Sequence, residues 1–184
     1  MDEATAVALA QAGDVNAYAW LVRRHSAAAV RLAAAVCGSA ADAEDAAQEA
    51  FVKMFYALGR FRPGAPLRPW LMRIVANEAR NQQRSGRRRA ALATRSAGTA
   101  ARPGPAADEL VIAEAEADAV LAALATLGER DRVVVAYRYF AGLSEREMAD
   151  ALGCRPGTVK SRLARALGRL QPALVEQGVT MTDG

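Results

Sequence analysis

The chain has 184 residues, enough for one domain or two small ones. More than half of them are apolar, only 5% are aromatic and alanine is very frequent, which favours close-packed helices over a sheet core of β-branched and aromatic side chains, so an all-α protein is expected. With two distant cysteines, one histidine and a net charge of +4 there is no metal-ligand spacing and no disulfide framework, and no cofactor is expected.

The start, MDEATAVALAQAGD, lacks the basic and apolar segments of a signal peptide, and no run of about 18 apolar residues follows, so the expected location is the cytoplasm, with no membrane contact. The charge is segregated. Residues 1–59 carry four basic and seven acidic side chains, 60–95 ten and one, 96–128 one and five, and 129–184 nine and seven. Two basic zones alternating with two acidic ones fit two contacts with a polyanion, with other surfaces kept for other partners.

In chain order, DVNAYAWLVRRHSAAAVRLAAAV has helical periodicity from Asp14 to Val36 and stops at Gly38. Ser39 or Asp42 caps the next helix, DAEDAAQEAFVKMFYAL, which ends at Gly59. Its stripe of Ala47, Phe51, Met54, Phe55 and Leu58 is expected to face the core. Asp45, Gln48, Glu49, Val52 and Tyr56 share another face, which DNA repels and a basic protein surface fits. By spacing alone, a solvated helix face is the simpler explanation of that patch.

RFRPGAP, with two prolines and a glycine, reads as a loop. A third helix runs from about Arg68 into NQQRSGRRR and has two faces. Leu67, Leu71, Ile74 and Val75 point inward; Trp70, Arg73, Asn77, Arg80, Asn81 and Arg84 point outward. An exposed tryptophan in line with amides and arginines offers an unpaired base a ring to stack on, a group to pair with its edge and cations for its backbone. RFRPGAP is placed to form the wall of a pocket there. Trp70 alone fits a corner of the core equally well, since tryptophan is largely buried on average. Ten bases against one acid across the zone favour the nucleic-acid reading.

From about Ser85 to Ala107 the apolar period is lost, and the segment reads as a flexible linker. Beyond it lie an acidic helix (DELVIAEAEADAVLAAL), an apolar one (ERDRVVVAYRYF), a short one opening at Ser144 and a basic one. Ser144 and Glu147 form a capping box, Met148, Ala149 and Leu152 face inward, Gly153 supplies a left-handed turn, and Pro156 fits the first position of the last helix. There Val159, Leu163, Ala166, Leu167 and Leu170 make a core stripe opposite Arg155, Thr158, Arg162, Arg165 and Arg169. Two helices joined by a tight glycine turn, the second cationic, form a helix-turn-helix suited to the DNA major groove. A solvated basic face on a small bundle is the alternative, and the capping box, glycine, proline and stripe together weigh against it.

Taken together, these segments resemble the extracytoplasmic-function group of bacterial RNA polymerase sigma factors. DAEDAAQEAFVKMFYALGRFRPGAPLRPWLMRIVANEARNQQR is similar to region 2 of that family, and LATLGERDRVVVAYRYFAGLSEREMADALGCRPGTVKSRLARALGRL to region 4. The resemblance implies region 2 over residues 1–85, a linker over 86–107 and region 4 over 108–184. It casts Asp45, Gln48, Glu49 and Val52 as contacts to the clamp of the core polymerase β′ subunit. Arg60, Arg62, Trp70, Arg73, Asn77, Arg80, Asn81 and Arg84 would hold the single-stranded −10 promoter element. Arg155, Thr158, Lys160, Ser161, Arg162 and Arg165 would read the duplex −35 element, on a domain that also sits on the β flap. Relatives are commonly held inactive by an anti-sigma factor, so such a partner is also a candidate. Two residues depart from the family pattern: Asn81, where many relatives carry an acid, and Arg155, where a capping serine is common. No paired carboxylates in a basic groove, no metal cluster and no phosphate loop speak for an enzyme. The remaining alternative, an autonomous helix-turn-helix regulator binding operator duplex as a dimer, leaves the Trp70 face without a task.

Overall fold

The computed structural model describes the backbone of residues 1–96 and 109–178 and the side chains of 1–89 and 116–178. Among these residues all regular structure is helical. The elements are α1 (Glu3–Gln11), α2 (Val15–Cys37), α3 (Ala40–Leu58), α4 (Leu67–Ser96), α5 (Glu109–Thr126), α6 (Glu129–Val135), α7 (Glu145–Leu152) and α8 (Pro156–Glu176). α6 passes directly into one π-helical turn, Ala136–Phe140, closed by Ala141 N–H donating to the Ala136 carbonyl at 3.0 Å.

Short side chains set the first three helix starts. Asp2, Asp14 and Ser39 each accept a hydrogen bond from a first-turn N–H of the helix that follows. α2 packs against both α3 and α4, and α1 lies across α2. Leu21, Leu32, Met54, Leu71 and Met72 fill the centre, and Ala43, Ala46, Ala47 and Ala50 let α3 approach its neighbours closely. Gln11 of α1 donates from Nε2 to the carbonyls of Leu58 and Phe61, both at 2.9 Å, and so ties α1 to the end of α3 and the start of the loop that follows.

The stripes differ from expectation at their edges. Phe55 is 56% exposed rather than buried, because the alanines turn α3 toward its neighbours and leave that ring outside; Phe51 is half-buried. On α4 the core also takes Met72, Ala76 and Ala79, while Ile74 is half-buried. On α7 Ala151 is buried and Leu152 half-buried, and on α8 Leu163 and Leu167 are half-buried. Helix α4 continues to Ser96, so residues 86–96 of the expected linker are helical. The rest of that expected linker, residues 97–107, lies outside the described residues.

The C-terminal bundle packs α8 against α5, α6 and α7. The two bundles meet: α2 touches α5, α6 and the π turn, α4 touches α7, and the buried apolar residues of both form one continuous core. Arg132, only 3% exposed, sits at this junction. Its guanidinium donates to the carbonyls of Leu124 (2.9 Å), Ala125 (3.0 Å) and Leu127 (2.8 Å) at the end of α5, and to Val36 (3.1 Å) at the end of α2. One charge thus caps two helix C-termini, where a cation is favoured: it adds a donor to the Leu124 and Val36 carbonyls, which already accept from Leu127 N–H and Gln83 Nε2, and it serves those of Ala125 and Leu127 as well.

Candidate nucleic-acid interface

The loop after α3 and the first turns of α4 form a hollow of about 320 Å³ lined by Arg60, Arg62, Pro66, Trp70 and Arg73. Trp70 is half-buried, with its ring 4.7 Å from that of Phe61 and inclined by 44°. Phe61 therefore supports one side of the indole, and part of the ring stays open to the hollow. Asp150 and Ala151 of α7 complete the rim.

Farther along α4, Asn77 and Arg84 are exposed and Arg80 is half-buried. Arg80 donates from Nη1 to Asn77 Oδ1 at 3.0 Å, which orients both groups. Both oxygens of Glu129, in the first turn of α6, lie near Arg84 Nη2, at 3.0 and 3.2 Å. The Arg80 Nε is 3.3 Å from the same carboxylate, close enough to attract it but not aligned for a hydrogen bond, so it is left buried without a partner. Trp70, Arg73, Asn77, Arg80 and Arg84 thus form one face with the loop arginines at one end. Asn81 is set apart: it lines a second hollow of about 490 Å³ between α3 and α4, together with Asp45, Gln48, Glu49, Val52 and Glu78.

That second hollow carries the acidic face of α3. Asp45, Gln48, Glu49 and Val52 are all exposed. Lys53 reaches across to Glu78 at 2.6 Å and to Glu49 at 3.7 Å. The hydrogen bond from Lys53 to Glu78 is the main reason its ammonium titrates above the ordinary lysine value. On the other side of α3, Tyr18, Val22, Phe51, Phe55 and Tyr56 line an apolar hollow of about 530 Å³. Tyr18 donates to the Phe51 carbonyl at 2.6 Å, and burial pushes its phenol up to about 12. Periodicity misses this hollow because Phe55 falls at the edge of the apolar stripe; the run FVKMFY, with three aromatics on one helix, is the signal that could have exposed it.

In the C-terminal bundle α7 and α8 form the expected helix-turn-helix. Ser144 Oγ accepts from Glu147 N–H at 3.3 Å, and the Glu147 carboxylate accepts from Ser144 N–H at 2.8 Å. Partial burial works against the Glu147 charge, but the hydrogen bonds from Ser144 outweigh it and hold the carboxyl below its usual range. Gly153 closes the helix at φ 62°, ψ 39° and Pro156 opens α8. Arg155, at the N-cap, makes no side-chain capping bond. Arg155, Lys160, Ser161 and Arg165 are exposed, and Thr158 and Arg162 are half-buried on the same end of α8. No described helix is long and apolar enough to cross a membrane.

Residues 21–89 match the family model for sigma-70 region 2, and residues 117–170 match that for sigma-70 region 4. The RNA polymerase sigma factor CnrH of Cupriavidus metallidurans is 32% identical over 174 residues, spanning 91% of each chain. The ECF RNA polymerase sigma factor SigL of Mycobacterium tuberculosis is 35% identical over 167 residues, spanning 87% of this chain and 90% of that one. The chain is an extracytoplasmic-function sigma factor.

As a sigma factor it is a non-enzymatic subunit that directs RNA polymerase to promoters, and its region 4 binds DNA through the helix-turn-helix. The region 2 match, absent from a simple operator-binding regulator, sets that alternative aside. Solved sigma-factor structures share the fold. CnrH in complex with the cytosolic domain of CnrY superposes with a TM-score of 0.74 at 28% identity, over 95% of this chain and 97% of that one. The sigma factor RpoE in complex with the anti-sigma factor NepR, from Bartonella quintana, gives 0.67 at 26% identity, over 88% and 98%. Within this sigma factor, Glu129 and Arg132 are functional candidates that periodicity does not reveal. Both lie in an apolar helix whose charges read as ordinary solvation until the fold brings region 2 beside them.

Proposed function

We propose that region 2, residues 1–85, captures the −10 element as single strand, and that region 4, residues 108–184, reads the −35 element as duplex. An unpaired base stacks in the hollow at Trp70, with Arg60, Arg62 and Arg73 facing its phosphates and Asn77 its edge; Arg80 and Arg84 extend the track. The observation that carries this reading is the hollow itself, a half-open indole ringed by cations. Stacking one base on an aromatic ring contributes about 1–3 kcal/mol. That offsets a cost of unstacking of about a few kcal/mol per base, so capture favours the melted promoter.

On α8, Arg155, Thr158, Lys160, Ser161, Arg162 and Arg165 enter the major groove, where arginine forks pair with guanine and the more distal cations reach phosphates. Asp45, Gln48, Glu49 and Val52 dock on a basic surface of the core polymerase, the β′ clamp, and region 4 rests on the β flap. Asn81 borders the α3 patch and belongs to the seam between the clamp contact and the −10 track. Polymerase fixes the distance between two weak DNA contacts, which then act together through effective concentration. CnrH and RpoE were each solved with a protein partner, and a comparable anti-sigma factor is proposed to restrain this chain in the cytoplasm.

Run-off transcription with core polymerase tests the division of labour. Arg162→Ala is expected to weaken promoter binding on every template by about tenfold. Trp70→Ala is expected to leave duplex engagement intact while slowing opening by about tenfold, a defect removed by a template already melted over the −10 region. A Trp70→Ala defect that persists on the melted template would rule out base capture.

A further inference from the structure

The face assigned to the single strand is not free. Near the middle of α4, Glu129 holds the guanidinium groups of Arg80 and Arg84 at 3.0 to 3.3 Å. At its first turns, Asp150 and Ala151 of α7 stand on the rim of the Trp70 hollow, so an acidic side chain occupies the approach that a phosphate would use. Beside these contacts Arg68, at the start of α4, donates to the Ala141 carbonyl, and Arg31 of α2 to the Phe140 carbonyl at 3.4 Å. The π turn and the residue that closes it make these last two contacts available by delivering the Phe140 and Ala141 carbonyls toward region 2. Gly142 follows at φ 61°, and a Cβ there would lie 3.1 Å from Arg68 Nη2.

We propose that Glu129 is a latch: in the free sigma factor its carboxylate takes the place of a promoter phosphate on Arg80 and Arg84 and holds region 4 over the −10 face. Nucleic acid and region 4 then compete for the same cations. The latch is weak by construction. The Arg84 pair is solvated and the Arg80 pair partly so, such pairs contribute little each, and closing leaves Arg80 Nε buried without an aligned acceptor. A partner that draws region 4 away has little ionic attraction to overcome at Glu129 and works mainly against the shared core and Arg132. This inference rests on the single-strand reading of α4 given above, and the experiment separates the two.

The chain has two tryptophans, so Trp20→Phe leaves Trp70 as the sole indole reporter of the hollow. In that full-length background, Glu129→Gln is compared with Glu176→Gln, which makes the same change of charge on an exposed residue at the far end of α8. Two readouts are taken at low salt: acrylamide quenching of Trp70, and binding of a labelled mixed-sequence 12-nucleotide single-stranded DNA. Glu129→Gln is expected to increase quenching and to tighten single-strand binding about twofold to fivefold over the Glu176→Gln control, an advantage that shrinks as salt screens the pairs. Arg84→Gln opens the latch from the other side; it should increase quenching and yet not tighten binding. If neither Glu129→Gln nor Arg84→Gln changes Trp70 quenching, the latch is overturned. Increased quenching in Glu129→Gln with unchanged strand binding would uphold the latch and overturn the single-strand reading instead.

Discussion

Arg132 is a buried charge at the junction of the two bundles, only 3% exposed. A guanidinium taken out of water is costly unless its donors are satisfied, and here four carbonyls from two helix ends accept from it. Desolvation is the main cause that draws its pKa below the ordinary arginine value, and the group stays charged. Removing it takes the guanidinium donors from the Ala125 and Leu127 carbonyls, while Leu124 O keeps its bond from Leu127 N–H. Arg132→Met is therefore expected to destabilise the chain by about 3 kcal/mol, and Arg132→Lys to recover only part of that, because a point charge cannot serve four divergent acceptors. Urea unfolding of the three proteins checks both expectations. Nothing in ERDRVVV marks this arginine as buried. Its neighbours Val133, Val134 and Val135 are all buried, and a charge next to such a run reads as the solvated edge of a helix until two helix ends converge on it. The Trp70 cluster was more legible, because its loop and helix are consecutive in sequence and local spacing alone brings Arg60, Arg62 and Arg73 to the ring.

At the scale of elements, local chemistry written into the sequence is reproduced closely. Asp14, Ser39 and Ser144 cap the helices they precede, and Gly38, Gly59 and Gly153 respectively end them. Ser144→Ala is expected to cost about 1 kcal/mol and Gly153→Ala about 1–2 kcal/mol, the second because its backbone is left-handed at φ 62°. Thermal melts of the variants should show both losses, alongside weaker −35 duplex binding for Gly153→Ala as the angle between α7 and α8 relaxes. Faces are less legible than ends. On α3, Phe55 lies about 80° around the helix from Ala47, on the side away from Ala43, Ala46 and Ala50. Those small residues draw the neighbouring helices close and shift the buried sector toward themselves, so the larger ring stays out. Asn81 is displaced in the same way, about 60° from the middle of the arginine face of α4 and toward α3. Which side of a stripe sinks deepest depends on what packs against it, and spacing within one helix does not contain that.

At the scale of the whole molecule, the alternation of basic and acidic zones leads one to expect separate charged surfaces but not how they face each other. Segregated charges along the chain become complementary charges across it when Glu129 meets Arg80 and Arg84. The shared core and Arg132 join the bundles more firmly than those ion pairs do, since burial of apolar surface outweighs solvated pairs. The free protein is therefore expected to melt in a single calorimetric transition whose calorimetric and van't Hoff enthalpies agree. Two resolved transitions would mean that the bundles unfold independently.

The acid that meets α4, the carbonyls that receive Arg31 and Arg68, and the helix that reads the groove all belong to one stretch, from Glu129 to α8. A chimera that grafts the C-terminal half of another relative onto this N-terminal half therefore exchanges address and lock together. Retargeting by such swaps also resets how readily the hybrid opens, unless the position of Glu129 is carried over with its charge.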